Sequence, residues 1–291
     1  MIKKGFYCAL GTPLDENGNV IGRSLTMEIE SQIKAGVSGL LLMGTMGMLG
    51  CVRQDQYEEV VKIAVKAVNK RVVLMVGAAD NSIARVKDRL DILNKYDVAV
   101  VVTAPYYFGM SRQTAMTYFK AVAAMTDHDV YMYDHPFTAR YKLNFADVME
   151  LAAIRNIKGI KTGDAVLIKT LHDTADLKKD FTPIFSNSDL FTMGHAYGIE
   201  HILDGIFACF PATIKRAQNA FDAGDFETGK TTLNRMMAAR DKMFEVGIWP
   251  AFSHCMNLLG FEGNFSPDYE PMLNDGQKAL VKSIMVDMSE I

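Results

Sequence analysis

The chain has 291 residues, 49% of them hydrophobic and 22% charged, enough apolar material for one large core with an appendage and too ordinary a balance for disorder. Lysine and arginine number 31 against 34 acidic residues, a formal charge of -3 with no basic stripe, which makes nucleic acid and anionic membrane poor partners. Cys8, Cys51, Cys209 and Cys255 are scattered and form no CxxC pair, so neither a zinc site nor a disulfide framework is expected, and a reducing cytoplasm fits them. The first residues do not read as a signal peptide, and no run approaches the ~18 apolar residues of a spanning helix.

In chain order, strand-like and helix-like stretches alternate about every thirty residues. A first strand is predicted at Phe6 to Leu10 and a helix at Ser24 to Ala35. Gly39 to Met43 is the second strand, followed by Gly44-Thr45-Met46-Gly47 and a helix at Gln54 to Val68. The third strand is Val72 to Val76, with Asn81 or Ser82 as cap of the next helix. The fourth is Val98 to Val102, running into Pro105-Tyr106-Tyr107, and the helix after it covers Arg112 to Met125. The fifth, Val130 to Tyr133, ends in Asp134-His135-Pro136, and a helix at Phe145 to Ala153 leads to the sixth, which ends at Lys161. Thr182 to Phe185 is read as the seventh and Gly205 to Phe210 as the eighth. Runs such as Val98-Ala-Val-Val-Val102 lack alternation, as parallel strands covered on both faces do. Eight units make a (β/α)8 TIM barrel over residues 1–224 the expected fold, with a doubly wound open sheet as runner-up. Three further helices, near Phe226 to Phe244, Pro250 to Leu258 and Gly276 to Met288, form a small C-terminal helical domain over 225–291.

Catalytic groups in such a barrel gather at the C-terminal strand ends. Those ends supply Thr12, Thr45, Tyr106, Tyr107, Tyr133, Lys161, Asn187 and the Ile206 backbone, a hydroxyl-rich set with one amine. The two-residue repeat puts Ile157, Gly159 and Lys161 on one face of the sixth strand and Tyr131 with Tyr133 on one face of the fifth, with small Gly159 leaving room below the amine. A buried amine without a partner is driven toward its neutral form, which is the nucleophile that attack on a ketone requires. A tyrosine phenol can carry the protons of carbinolamine dehydration, and Gly44-Thr45 can offer backbone N–H groups and a hydroxyl to a 2-oxo acid carboxylate. No metal is called for, and His128, His172, His195, His201 and His254 have no ligand-like spacing.

Gly44-Thr45-x-Gly47, Pro105-Tyr106-Tyr107, Tyr133-x-x-Pro136 and Gly159-Ile160-Lys161 together resemble the dihydrodipicolinate synthase and N-acetylneuraminate lyase family over essentially the whole chain. That resemblance implies a pyruvate-dependent class I aldolase, a cytoplasmic lyase with no cofactor beyond a covalent Schiff base to pyruvate on Lys161. It implies Tyr133 as proton shuttle, Thr45 as carboxylate ligand and relay, and Tyr107 as an aromatic lent across a dimer interface, usually within a homotetramer. The chain also departs from the family's pattern. Met46 and Met48 stand where a second Thr and a Glu are common, Asp134 where Asn is usual, and His135 where an apolar residue is common. Thr138 occupies the position of the arginine with which lysine-pathway members grip the second substrate's carboxylate, and Arg140 lies two residues on. His135, Thr138 and Arg140 are therefore the expected specificity residues.

Three functions remain open from sequence. The first is cleavage of a 2-keto-3-deoxy sugar acid, or a similar acid, to pyruvate and an aldehyde. The second is condensation of pyruvate with aspartate semialdehyde, the dihydrodipicolinate synthase reaction. The third is a non-catalytic barrel that binds a keto acid.

Overall fold

The computed structural model describes residues 2–291. Eight strands succeed one another around a closed barrel in chain order: β1 Gly5–Ala9, β2 Gly39–Leu42, β3 Val73–Gly77, β4 Ala99–Thr103, β5 Val130–Asp134, β6 Ile157–Thr162, β7 Thr182–Phe185 and β8 His201–Asp204. Closure removes the open-sheet alternative. Helices α1 Gly22–Ala35, α2 Gln54–Val68, α3 Ile83–Leu93, α4 Arg112–Ala124, α5 Phe145–Ala152, α6 Ala165–Asp173, α7 Phe191–Ala196 and α8 Pro211–Asp222 follow the strands in turn. The chain continues through α9 Phe226–Glu245, α10 Ile248–Leu258 and α11 Asp275–Asp287. It divides into two compact units, one of residues 2–4 with Val73–Leu203, the other of Gly5–Val72 with Asp204–Ile291.

In the first unit the strands are apolar runs: Val100, Val101 and Val102 of β4 and Val130 to Tyr133 of β5 are all buried. Its helices start where short polar side chains meet free backbone N–H groups. Ser82 accepts from Arg85 N ahead of α3, Ser111 from Thr114 N ahead of α4, and Asn144 with Asp147 closes a capping box on α5. Asp164 caps α6 directly after β6, accepting from Val166 N and Leu167 N at 2.9 Å each. The register of β5 on β6 places Tyr131 beside Gly159, Tyr133 beside Lys161 and Asp134 beside Thr162. A Cβ on Gly159 would lie 2.4 Å from the Thr182 carbonyl oxygen and 2.5 Å from the Tyr131 ring. The space left by the missing side chain is thus filled by the Tyr131 ring, not left open beneath the amine.

In the second unit β1 pairs with β2, Tyr7 opposite Gly39 and Ala9 opposite Leu41. Helix α8 begins with Pro211, whose missing N–H costs nothing at a helix start. The segment expected to be the eighth strand folds otherwise: Ile206–Cys209 is a 3-10 helix, and β8 lies just before it. The Asp204 carboxylate accepts the Ile206 N–H at 2.9 Å and turns the chain out of the strand direction. Phe207, Ala208, Cys209 and Phe210 are fully buried, so the run has the hydropathy of a covered strand, and periodicity does not distinguish the two forms over so short a stretch.

Three polar side chains on one buried face of α1, Ser24, Glu28 and Gln32, are enclosed in this unit. Glu28 accepts from Gly11 N at 2.8 Å through Oε1, whereas its Oε2 is buried without a partner. Burial pushes the Glu28 carboxyl up to about 8, against the lowering effect of the Gly11 bond. The folded protein therefore holds a proton here that the unfolded chain has released above the ordinary glutamate range, and stability falls as pH rises from about 4.5 to about 8. Glu28→Gln keeps the shape and the acceptor without the ionisation. It is expected to raise stability at pH 7 by about 3 kcal/mol, on the proton-linkage relation for that shift, and to leave it unchanged near pH 4. Urea titrations of both proteins at the two pH values check this, and equal midpoints at pH 7 would contradict it.

Candidate active site

Lys161 and Tyr133 are brought together by strand register. They are paired across β5 and β6, both buried, and the Lys161 Nζ stands 3.7 Å from the centre of the Tyr133 ring. No carboxylate pairs with the amine and no hydrogen bond holds it, and the Tyr133 hydroxyl likewise makes no hydrogen bond among the described residues. A buried amine is ordinarily paired, since an unpaired buried charge is costly. What faces this one is the π-face of a phenol, which leaves both the nitrogen and the oxygen available to a third molecule.

The next residue along each strand fixes this pair. Asp134 and Thr162 are both buried, and the Thr162 hydroxyl donates to Asp134 Oδ2 at 2.9 Å while Leu143 N donates to Oδ1 at 3.0 Å. Thr162 Oγ1 also accepts from Asp164 N at 3.1 Å, and Lys142 pairs with Asp164 and lies 3.7 Å from Asp134 Oδ2. Asp134 thus replaces an amide with a carboxylate that has donors on both oxygens. It clamps the ends of β5 and β6 one residue beyond Lys161 and Tyr133. Thr103 of β4 is in register with Tyr133 on the other side, its hydroxyl buried and unbonded. Neither Thr162 nor Thr103 stands out in the sequence: the two-residue parity puts Thr162 on the opposite face of β6 from Lys161, and the pairing of Thr103 with Tyr133 exists only in the register of β4 on β5.

The loop after β5 carries the expected specificity residues. His135 is half-buried, its Nδ1 2.7 Å from Thr138 Oγ1, and its ring is 5.0 Å from the Tyr133 ring and 6.1 Å from that of Phe137. Burial, reinforced by the Lys161 charge, brings the imidazole down to about 4, so it is neutral at physiological pH. Thr138 and Arg140 are exposed. Arg140 gives its backbone N–H to the Pro105 carbonyl at 3.2 Å, and its guanidinium has no partner among the described residues. Asn187, after β7, donates its amide to the Gly163 carbonyl at 3.1 Å, two residues beyond the amine.

Tyr106 and Tyr107 are anchored by backbone, both N–H groups being accepted at 2.9 Å by the Asn81 side chain. Asp80 before it is buried against Arg89 at 2.9 Å and Arg85 at 3.1 Å. The Tyr107 and Phe108 rings meet edge to face at 4.8 Å, each 70% exposed. In the second unit Thr45 is exposed and Gly44 buried in the turn after β2. That turn is held by the buried Thr12 hydroxyl, which donates to the Gly47 carbonyl at 2.7 Å, so Thr12 is a structural residue here. Met43 and Met48 take φ of 54° and 53°, left-handed values that mark a tightly wound loop. A Cβ on Gly47 would lie 2.8 Å from Met43 N, and one on Gly205 only 1.9 Å from Met46 Cγ, so Met46 lies flat on Gly205 beside Ile206. The Ile206 N–H is taken by Asp204 and is not free for a ligand. Among the described residues no group of three or more His, Cys, Asp or Glu could hold a metal ion.

A closed parallel barrel with an unpaired amine and a phenol at neighbouring strand ends defines the class, a lyase that works through a covalent imine. The model of the dihydrodipicolinate synthetase family matches residues 3–285, and the chain belongs to that family of class I, pyruvate-dependent aldolases, which use a lysine Schiff base and an aldehyde co-substrate without an external cofactor. It is 26% identical over 288 residues to a 4-hydroxy-tetrahydrodipicolinate synthase of Acidiphilium cryptum, covering 98% of each chain. Among solved structures it is similar to dihydrodipicolinate synthase from Thermotoga maritima, with TM-score 0.90 and 20% identity over 100% of both chains. It is also similar to YagE, a prophage protein of the same family from E. coli K12 in complex with pyruvate, with TM-score 0.89 and 19% identity over 99% of both chains. No helix among the described residues is long and apolar enough to cross a membrane.

Proposed function

We propose that Lys161 forms the imine with pyruvate and that the enzyme reversibly cleaves a 2-keto-3-deoxy sugar acid, or a similar hydroxylated acid, to pyruvate and an aldehyde. The observation that carries this reading is the buried, unpaired Lys161 Nζ 3.7 Å over the Tyr133 ring. The amine attacks the C2 carbonyl and the hydroxyl of the carbinolamine leaves as water. The iminium then accepts the electron pair of the C3–C4 bond while the C4 hydroxyl proton passes to a base, freeing the aldehyde and leaving an enamine, which takes a proton at C3 and is hydrolysed by water to pyruvate and the free amine. Tyr133 moves the protons. Asn187 contributes a further substrate contact, the Gly44-Thr45 turn has the N–H groups and hydroxyl that suit a carboxylate, and the exposed Tyr107 serves a site completed in a homo-oligomer, as dimer or tetramer. Residues 1–224 act as the catalytic domain, 225–291 as a helical appendage, and the place of action is the cytoplasm.

The sugar-acid reading is favoured over the semialdehyde one by the β5 loop, where an uncharged Thr138 is joined to a neutral His135. One observation supports the alternative, condensation of pyruvate with aspartate semialdehyde: the Arg140 guanidinium is exposed and unpartnered in the same loop. Borohydride reduction with pyruvate, followed by turnover assays on keto-deoxy acids and on pyruvate plus aspartate semialdehyde, tests both. The wild type is expected to gain reduced pyruvate mass and to turn over a keto-deoxy acid. Fast turnover with the semialdehyde alone would reverse the order, and an unmodified protein would leave only a keto-acid-binding barrel.

A further inference from the structure

We propose that His135, held by Thr138, selects the aldehyde half of the substrate by hydrogen-bonding a hydroxyl on it through the free ring nitrogen Nε2. The inference rests on the imine reading of Lys161 and adds to it the chemical class that the second half must have. It is carried by three features of one unit. The Tyr133 ring is shared: the Lys161 amine stands over it at 3.7 Å and the His135 ring lies against it at 5.0 Å with an interplanar angle of 57°. A substrate joined to the amine, with its reacting oxygen at the Tyr133 hydroxyl, carries its remaining carbons to the groups beside that ring. The imidazole has hydrogen-bonding capacity to spare there, because Nδ1 is occupied by Thr138 Oγ1 at 2.7 Å while Nε2 has no partner among the described residues.

The orientation of the ring is also fixed. Thr138 N and Ala139 N both donate to the His135 carbonyl, at 3.0 and 2.9 Å, closing a turn that puts the Thr138 hydroxyl under the imidazole. The Tyr133 and Phe137 rings flank it. An uncharged ring in this place can satisfy a hydroxyl, which either donates or accepts, but it cannot compensate the desolvation of a carboxylate as an arginine fork would. The same geometry therefore favours a hydroxylated aldehyde and disfavours one ending in an acid.

The test compares D-glyceraldehyde with propanal, two three-carbon aldehydes that differ in their hydroxyls, in condensation with pyruvate. The readout is the ratio of their kcat/KM values within each protein, which does not depend on how much of a variant is folded. Wild type is expected to favour glyceraldehyde by about tenfold or more, the worth of one net hydrogen bond. In His135→Leu the ratio should fall to near one; His135→Gln, which keeps a polar end, should recover part of it, and Thr138→Val should lower it. A wild-type ratio near one, or a wild-type ratio retained in both His135→Leu and Thr138→Val, overturns the inference. Failure of wild type to trap pyruvate with borohydride would instead overturn the imine reading beneath it.

Discussion

Lys161→Ala is expected to take up no pyruvate mass on borohydride reduction and to lose roughly 10³-fold or more of kcat, because on the proposed reading the covalent step runs through this amine. The strand around the amine is well supported: Thr162 is clamped to Asp134, and Gly159 is packed on Tyr131. With no carboxylate paired to Lys161, its removal leaves no stranded charge, so the variant should stay folded and the loss should be chemical. Lys161→Arg sharpens the result. A guanidinium stays protonated at every relevant pH and cannot attack a carbonyl, so a variant with the charge and length nearly kept should be as inert as the alanine. Mass spectrometry of the reduced protein, with the adduct mapped to its peptide, decides the matter. An adduct of undiminished yield in Lys161→Ala would move the nucleophile elsewhere.

Parity is what makes the meeting of Lys161 and Tyr133 legible in the sequence. Two strands, each read at a two-residue repeat, put Tyr131 and Tyr133 on one face and Gly159 and Lys161 on another, and the register of β5 on β6 sets those residues side by side. The β7 strand, Thr182–Phe185, is legible to the residue because apolar Ile184 and Phe185 stop abruptly at Ser186-Asn187. The failure at β8 has a local cause. His201-Ile-Leu-Asp204 is short and polar at both ends, whereas the apolar run after it is wound into a 3-10 helix by one carboxylate-to-backbone bond. The polar clamp of Asp134, Thr162, Asp164 and Lys142 is equally hidden. Each of these residues is unremarkable in its own stretch, and the function of the set exists only once two strands and two loops are superposed. Asp134 shows in the sequence as a departure from an amide, but nothing there names its partners.

Tyr133→Phe isolates the proton-carrying role from the packing role. The ring on which Lys161 Nζ rests is retained, the His135 ring keeps its neighbour, and only a hydroxyl that makes no hydrogen bond of its own is lost. Folding stability should therefore change little, while kcat should fall about 10²- to 10⁴-fold, the usual span for deleting a positioned proton-transfer group. Pyruvate should still be trapped on Lys161 after long incubation, since the amine and its surroundings remain, but at a rate reduced along with turnover. Tyr133→Leu removes the ring as well and should additionally weaken the preference between hydroxylated and bare aldehydes, because His135 then loses the nearer of the two aromatic rings that flank its imidazole and keeps only Phe137. Single-turnover kinetics of imine formation separate the two variants. If Tyr133→Phe turned over within threefold of wild type, the phenol would be a wall of the pocket, and the protons of carbinolamine dehydration would have to travel through another group, with the buried and unbonded hydroxyl of Thr103, its register neighbour on β4, next to be tested.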